Sequence, residues 1–180
     1  IVACDDEQIE TLHRLHKQAI TRGIETKIIG RDEILKMEKN ISDDVKYALY
    51  CAQTGIVTPW KVAIAAMETA MANQCKCELN QEVIDIKKED YFVVKTQDHE
   101  YRAKMVINCA GIYADKINET VTHKKDFIIT PRKGEYFVLS RNASDFVNHV
   151  IYPTPSKIYR KGVLVVPTIH GNMLLGPNAQ

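Results

Sequence analysis

The spacing of apolar residues predicts three helices in the first half of the chain. Apolar residues recur at helical spacing over residues 6–22, with Asp5 placed as the N-cap. A shorter helix is predicted over residues 32–37, with Asp32 as its N-cap. The third is predicted over residues 59–73, where a proline stands in the first turn and an alanine-rich face would allow close packing on a sheet.

Alternating apolar and polar residues predict short strands around these helices. The predicted segments are residues 1–4, 26–29, 47–52, 77–80, 82–87, 91–96, 100–103, 127–130, 134–140, 149–152, 163–167 and 172–175. Polar turns separate the three segments between residues 82 and 103, which predicts an antiparallel meander. From Lys125 onward no helical pattern recurs, so this part is predicted to be antiparallel sheet.

Residues 105–119 combine a short apolar run, a small-residue turn and a helical pattern. We predict a strand over residues 105–108, a turn at Ala110 and Gly111, and a helix from Ile112 to about Val121. A glycine at such a turn lets backbone approach a ligand, and the opening N–H groups of the helix offer an anion site. Such turns are also common in proteins without a nucleotide, so the pattern alone leaves both interpretations open. Separately, the strand at 77–80 follows the helix at 59–73 in strand-helix-strand spacing, which predicts a parallel crossover.

Charge and composition narrow the class of protein. Lys and Arg number 24 against 23 Asp and Glu, a net charge of +1. This balance gives no electrostatic reason to expect nucleic acid or an anionic membrane as a partner. No apolar run approaches the ~20 residues that a transmembrane helix needs. The five cysteines are scattered without framework spacing, which favours reduced thiols and a cytoplasmic protein.

Two pairs of residues have spacings that occur at metal sites. His13 and His16 are three residues apart on the first predicted helix, and Cys75 and Cys77 flank a lysine. The histidines lack an acidic or cysteine partner at matching spacing, and no second Cys or His pair stands near the cysteines. We therefore predict no metal site, with the histidines packed or solvated.

Several motifs in a fixed order resemble one family of flavoproteins. In chain order they read GIVTPW from Gly55, QEV from Gln81, VINCAGIYAD from Val106, PRKGEYF from Pro131, VIYPTP from Val150 and GNMLLGPNA from Gly171. The set is similar to the D-amino-acid-oxidase-like FAD-dependent oxidoreductases over essentially all 180 residues. Within that superfamily the chain resembles the FAD-dependent glycerol-3-phosphate dehydrogenases and the L-2-hydroxyglutarate dehydrogenases or oxidases.

The resemblance implies an α+β fold of mixed α/β content. Part of a FAD-binding Rossmann-like domain would be interleaved with an antiparallel-sheet substrate domain. Residues 1–55 and 125–180 are assigned to the substrate domain, and residues 56–124 to the FAD-binding domain.

The resemblance also implies site residues. The residues expected to contact FAD are Val83 at the adenine end, Ala110 and Gly111 beside the phosphates, and Gly176 and Pro177 in a hairpin over the flavin. Arg132 could hold the phosphate or carboxylate of a small anionic substrate with its planar guanidinium, and His170 could accept the alcohol proton. Without the resemblance, both would be interpreted as solvated loop residues.

The function implied is oxidation of an anionic secondary alcohol by hydride transfer to FAD, with glycerol 3-phosphate giving dihydroxyacetone phosphate as the first candidate. L-2-hydroxyglutarate is the alternative substrate, and a non-catalytic binding or assembly module is the alternative of another class. The Gly-x-Gly-x-x-Gly turn that holds the pyrophosphate in complete members occurs nowhere in the sequence. We therefore expect an internal fragment of a longer flavoprotein that does not retain FAD by itself.

Overall fold

A computed structural model describes residues 1–155 and 162–178, and the chain divides into two compact units. The first comprises Ile1–Val62 and Lys133–Gln180, and the second comprises Ala63–Arg132. Of the predicted substrate domain 125–180, residues 156–161 and 179–180 lie outside the described part. The assignment of these stretches to substrate and FAD-binding domains stays a prediction.

The first unit begins with an antiparallel sheet between two helices. Its elements are β1 (Val2–Ala3), α1 (Asp6–Thr21), β2 (Lys27–Gly30), α2 (Arg31–Met37) and β3 (Tyr47–Tyr50). The strand order is β1-β3-β2. Ala48 packs in the cluster on the α2 side, and its neighbour Leu49 packs in the cluster on the α1 side. Side chains alternate between the two faces of a strand, so these adjacent residues belong to separate cores.

Helix α1 begins at the predicted cap. The Asp5 carboxylate accepts a hydrogen bond from the Gln8 backbone N–H at 2.8 Å. In return, the Gln8 side chain accepts one from the Cys4 N–H at 2.9 Å. Two donors at the helix start are thus satisfied reciprocally. The helix is held on the sheet by Leu12, which is completely buried.

Helix α2 begins earlier than predicted, and Asp32 is not its N-cap. The capping position is Gly30, which is extended with φ −92° and ψ 176° and forms no side-chain cap bond. Because β2 ends at Gly30 and the helix follows at once, Asp32 lies inside the first turn. Its negative charge there still interacts favourably with the helix dipole.

A second antiparallel sheet completes the first unit. Its strands are β7 (Phe137–Leu139), β8 (Leu164–Pro167) and β9 (Met173–Gly176), in the order β7-β9-β8. Ile151 pairs with Val165, and Pro153 pairs with Val2 of the first sheet. Both are isolated bridges, and of the strand predicted at residues 149–152 only the bridge at Ile151 forms.

The second unit contains the predicted meander. Its elements are β4 (Asp85–Lys88), β5 (Phe92–Lys95), β6 (Glu100–Ala103), α4 (Ala114–Thr122) and most of α3 (Pro59–Ala72). The strands pair antiparallel in the order β4-β5-β6. Ile86 and Val93 are buried, and α4 contacts β4. The meander and the helix after Gly111 are therefore confirmed.

Three further predicted strands are wrong within the described residues. Residues 77–80, 105–108 and 127–130 form no strand. A strand requires a hydrogen-bonded neighbour, and without one Met105 and Ile107 remain irregular and are 74% and 78% exposed. The described part therefore lacks the predicted parallel crossover, and α3 buries none of its side chains instead of packing on a sheet. The α+β class itself is confirmed.

None of the helices described has the length and apolar content needed to span a membrane.

Candidate functional site

The turn around Gly111 is held from both sides by one asparagine. The Asn108 side chain accepts a hydrogen bond from the Ala110 N–H at 3.2 Å and donates one to the Ala114 carbonyl at 2.8 Å. Gly111 has φ of +58°, and a Cβ built on it would meet no atom within 4 Å. The turn is therefore fixed, favours glycine, and leaves its backbone open to an approaching group. These features fit the contact predicted with a FAD phosphate.

The second unit also contains Asp115, which binds the chain after helix α4, and Val83, which is one of the predicted site residues. Asp115, at the start of α4, accepts a hydrogen bond from the Ile129 N–H at 3.1 Å and so ties the chain after the helix to its beginning. The hydrogen bond from this N–H lowers the pKa of Asp115. Val83, the residue predicted to lie at the adenine, is half-buried shortly before β4. The structure thus places Val83, Ala110 and Gly111 in the same unit.

Gly176 ends strand β9 and Pro177 follows it, and here the chain entering β7 passes at close contact. A Cβ on Gly176 would lie 2.7 Å from Tyr136 Cδ1 and 2.8 Å from the Glu135 carbonyl oxygen. A Cβ on Gly134 would lie 2.9 Å from Pro177 Cβ. Both glycines are therefore needed for the two strands to approach this closely.

Three polar side chains gather at this end of β9. Lys133 Nζ lies 2.5 Å from Glu135 Oε1, and the Asn178 side-chain N–H donates to Glu135 Oε2 at 3.1 Å. These two contacts, that of Lys133 first, lower the pKa of Glu135. The quoted motifs contain all three residues, and the resemblance implies that Lys133 and Glu135 lie on a strand near the flavin, but none of the three is among the predicted site residues. The glycines beside them, Gly134 and Gly176, were the available signal of a close approach.

His170 lies at the opposite end of the same strand. It is exposed in the turn between β8 and β9, where its N–H donates to Thr168 Oγ1 at 3.3 Å. The four residues of β9 separate this turn from Pro177, about 13 Å at roughly 3.3 Å per residue. The structure therefore does not bring His170 together with Gly176 and Pro177. Arg132 is exposed and belongs to the second unit.

A cavity of about 570 Å³ lies in the first unit on the α2 side of the sheet. Glu38, which is 6% exposed, forms part of its wall. The Glu38 carboxylate accepts hydrogen bonds from the Asn148 N–H at 2.9 and 3.0 Å and from His149 Nδ1–H at 2.6 Å. No sequence signal marked this carboxylate, whose partners are more than 100 positions away. Within the described chain, the lining includes none of the predicted site residues.

In the two pairs with metal-like spacing, His16 Nδ1 is hydrogen bonded to Thr26 Oγ1 at 2.8 Å, and Cys75 and Cys77 are free thiols. Over residues 1–155 and 162–178, no three His, Cys, Asp or Glu side chains group as metal ligands.

Comparison with protein families identifies the class of protein: residues 1–180 match the family described as FAD dependent oxidoreductase (DAO), and the chain belongs to it. The resemblance stated from the motifs is confirmed. FAD, the predicted cofactor, is the cofactor of this family.

Individual relatives agree with the family assignment. The chain is 44% identical to a glycerol 3-phosphate dehydrogenase of Caloramator mitchellensis, over 100% of this chain and 38% of that protein. It is 31% identical to the L-2-hydroxyglutarate dehydrogenase of Escherichia coli K12, over 99% of this chain and 43% of that protein. The FAD-bound L-alpha-glycerophosphate oxidase of Mycoplasma pneumoniae has a TM-score of 0.86 at 27% identity, covering 99% of this chain and 48% of that structure. The chain thus spans less than half the length of these relatives.

Proposed function

We propose that the protein containing this chain is a FAD-dependent dehydrogenase or oxidase of an anionic secondary alcohol, with glycerol 3-phosphate as the first candidate. The observation that carries this proposal is the 44% identity, over the whole chain, with a glycerol 3-phosphate dehydrogenase. FAD, when bound, supplies the hydride acceptor. The residues of this chain bind and orient the cofactor and the substrate.

Cofactor binding is proposed for two backbone segments. Ala110 and Gly111 offer an open main chain with φ of +58° at the glycine, which supports contact with a phosphate. Gly176, followed by Pro177, ends a strand whose position is fixed by close packing of Gly176 on Glu135 and Tyr136, which supports a rigid contact with the flavin. Val83 is proposed at the adenine end.

The substrate contacts are proposed for two side chains. Arg132 is exposed, and its planar guanidinium suits bidentate binding of a phosphate or carboxylate. His170 is proposed as acceptor of the alcohol proton. A base acts within about 3 Å of the proton that it takes, whereas β9 separates His170 from Pro177. If Pro177 lies at the reacting carbon, the proton acceptor must be another group.

Replacement of His170 distinguishes these cases. If His170 is the base, His170→Asn should lower the rate of flavin reduction by about 10²- to 10⁴-fold. A rate within about twofold of the unchanged protein would assign the proton to another group. Leu174→Val in β9, the strand that follows this turn, serves as a control for general damage to the hairpin.

The substrate is tested with the full-length protein. Its bound flavin is mixed anaerobically with glycerol 3-phosphate, L-2-hydroxyglutarate or an amino acid, and bleaching of the flavin absorption is followed. We expect glycerol 3-phosphate to bleach the flavin fastest. Faster bleaching by L-2-hydroxyglutarate would favour the second candidate, which the 31% identity with the Escherichia coli dehydrogenase supports. A full-length protein without bound flavin would favour a non-catalytic module.

A further inference from the structure

Beyond the paired residues of β7 and β9, the two chain segments stay joined, but by a different set of hydrogen bonds. Phe137 pairs with Leu175, and Val138 pairs with Leu174, so the same register would place Glu135 opposite Pro177. Proline has no N–H to donate to a neighbouring strand. A ladder of backbone hydrogen bonds should therefore end here, and the strands should separate.

Asn178 replaces the missing hydrogen bonds. Its backbone N–H donates to the Glu135 carbonyl at 3.1 Å. Its side-chain oxygen accepts from the Glu135 N–H at 2.7 Å, and its side-chain N–H donates to Glu135 Oε2 at 3.1 Å. Three hydrogen bonds thus join one residue pair at the position where the proline interrupts the ladder. The orientation of the amide is set, because one end faces a donor and the other a carboxylate.

The chain on either side of this pair has little freedom to move. A Cβ on Gly176 or on Gly134 would come within 3 Å of the opposite chain, a separation that non-bonded carbon atoms do not reach without displacement. Glu135 is also held from its other carboxylate oxygen by Lys133 at 2.5 Å. The segment from Gly176 to Asn178 is therefore fixed in one place relative to β7.

We propose that Asn178, through its three hydrogen bonds with Glu135, is a positioning residue that sets the Gly176 and Pro177 backbone against the flavin. This inference rests on the proposed function, which places that backbone at the cofactor. Neither side chain of the Glu135–Asn178 pair needs to touch the reacting atoms. Their role is to hold a segment that lacks the backbone hydrogen bonds of an ordinary strand.

The test uses the full-length flavoprotein and an exchange of the two side chains. Asn178→Asp has the same shape but places a second carboxylate against Glu135. The double variant Glu135→Gln with Asn178→Asp restores one amide and one carboxylate with their positions exchanged. Asn172→Asp, at the other end of β9, is the matched control, because its side chain donates to the Leu139 carbonyl of the same sheet at 3.3 Å.

The readouts are the absorption spectrum of the bound flavin, the flavin content and the rate constant of flavin reduction. We expect Asn178→Asp to shift the spectrum and lower the rate constant at least tenfold. We expect the double variant to recover both, and the control to keep the original spectrum. An unchanged spectrum and rate in Asn178→Asp, or a double variant no better than the single one, would overturn the proposal.

Two outcomes separate this inference from the proposed function. If no alcohol reduces the flavin of the unchanged protein, the proposed function fails, while spectrum and flavin content still decide the role of Asn178. If Asn178→Asp does not fold, the double variant decides: bound flavin with the original spectrum supports the pairing, and lost flavin refutes it.

Discussion

Replacing Glu38 tests whether one carboxylate holds together two distant segments of the first unit. Glu38 is 6% exposed and accepts hydrogen bonds from the Asn148 N–H and from His149, which are 110 and 111 positions away. A hydrogen bond to a charged group contributes roughly 1.5–3 kcal/mol. The His149 side chain is 43% exposed, so its hydrogen bond to Glu38 is screened by solvent and adds about 1 kcal/mol at most. We expect Glu38→Ala to cost about 2–4 kcal/mol in local opening.

Hydrogen exchange measures this opening directly. A change of about 2–4 kcal/mol corresponds to roughly 30- to 1,000-fold faster exchange of amides that open locally. In the full-length protein, the peptide covering residues 146–151 should show this increase, and peptides of the second unit should not. Glu38→Gln keeps an acceptor for the Asn148 N–H. Its exchange rate over residues 146–151 should therefore lie between those of the unchanged protein and Glu38→Ala.

The control for this experiment is Glu10→Ala, because Glu10 is an exposed glutamate on α1 and surface changes of this kind usually stay within about 0.5 kcal/mol. If Glu38→Ala and Glu10→Ala gave the same exchange over residues 146–151, the carboxylate would not hold these segments together.

Three further predictions concern the cofactor turn, the core and the response to acid. Gly111→Val should lower the flavin content of the full-length protein more than Gly111→Ala does, because the larger side chain fills more of the open space beside the turn. The φ of +58° adds strain of about 1–3 kcal/mol for a residue with a side chain. Equal, stoichiometric flavin in both variants would contradict this prediction. Leu12→Ala should lower the free energy of unfolding by about 2–5 kcal/mol, measured by urea unfolding, since Leu12 is fully buried; Leu35→Ala, at a side chain 38% exposed, is the control and should cost clearly less. Because the pKa of Asp115 is lowered in the folded protein, its ionised carboxylate stabilises the fold above the ordinary carboxyl pKa of about 3.9, and this stabilisation is lost as the pH falls below that value. Melting temperatures measured at decreasing pH should therefore fall more steeply for the unchanged protein than for Asp115→Asn. Parallel curves for the two proteins would refute the assignment.

Local patterns predicted the elements whose causes lie within a few residues. The helix starting at Asp5 depends on a cap bond to Gln8, three positions away. The meander depends on polar turns between short alternating strands, and its last strand has the predicted bounds, Glu100–Ala103. Caps, turns and periodicity act over less than one turn of helix or one hairpin, so a single sequence reveals them.

The predictions that failed depended on partners elsewhere in space. The apolar run at residues 105–108 has strand-like composition, but a strand forms only beside a neighbour, and none of the described residues pairs with it. Asp32 is a good capping residue by type, but β2 continues to Gly30 and places Asp32 inside the helix. In both cases the local preference was real and the neighbouring structure overruled it.

The sequence alone determined the family, the α+β class and the glycines around which the chain turns, since these depend on residue identity and short spacing. The tertiary structure alone decided which polar groups meet: Glu135 with Asn178, Glu38 with His149, and Gly176 at the end of β9 away from His170. Such contacts join residues 43 to 111 positions apart or depend on which end of a strand a residue occupies. Strand register and the path of the chain fix them, and neither leaves a periodic signal in the amino-acid sequence.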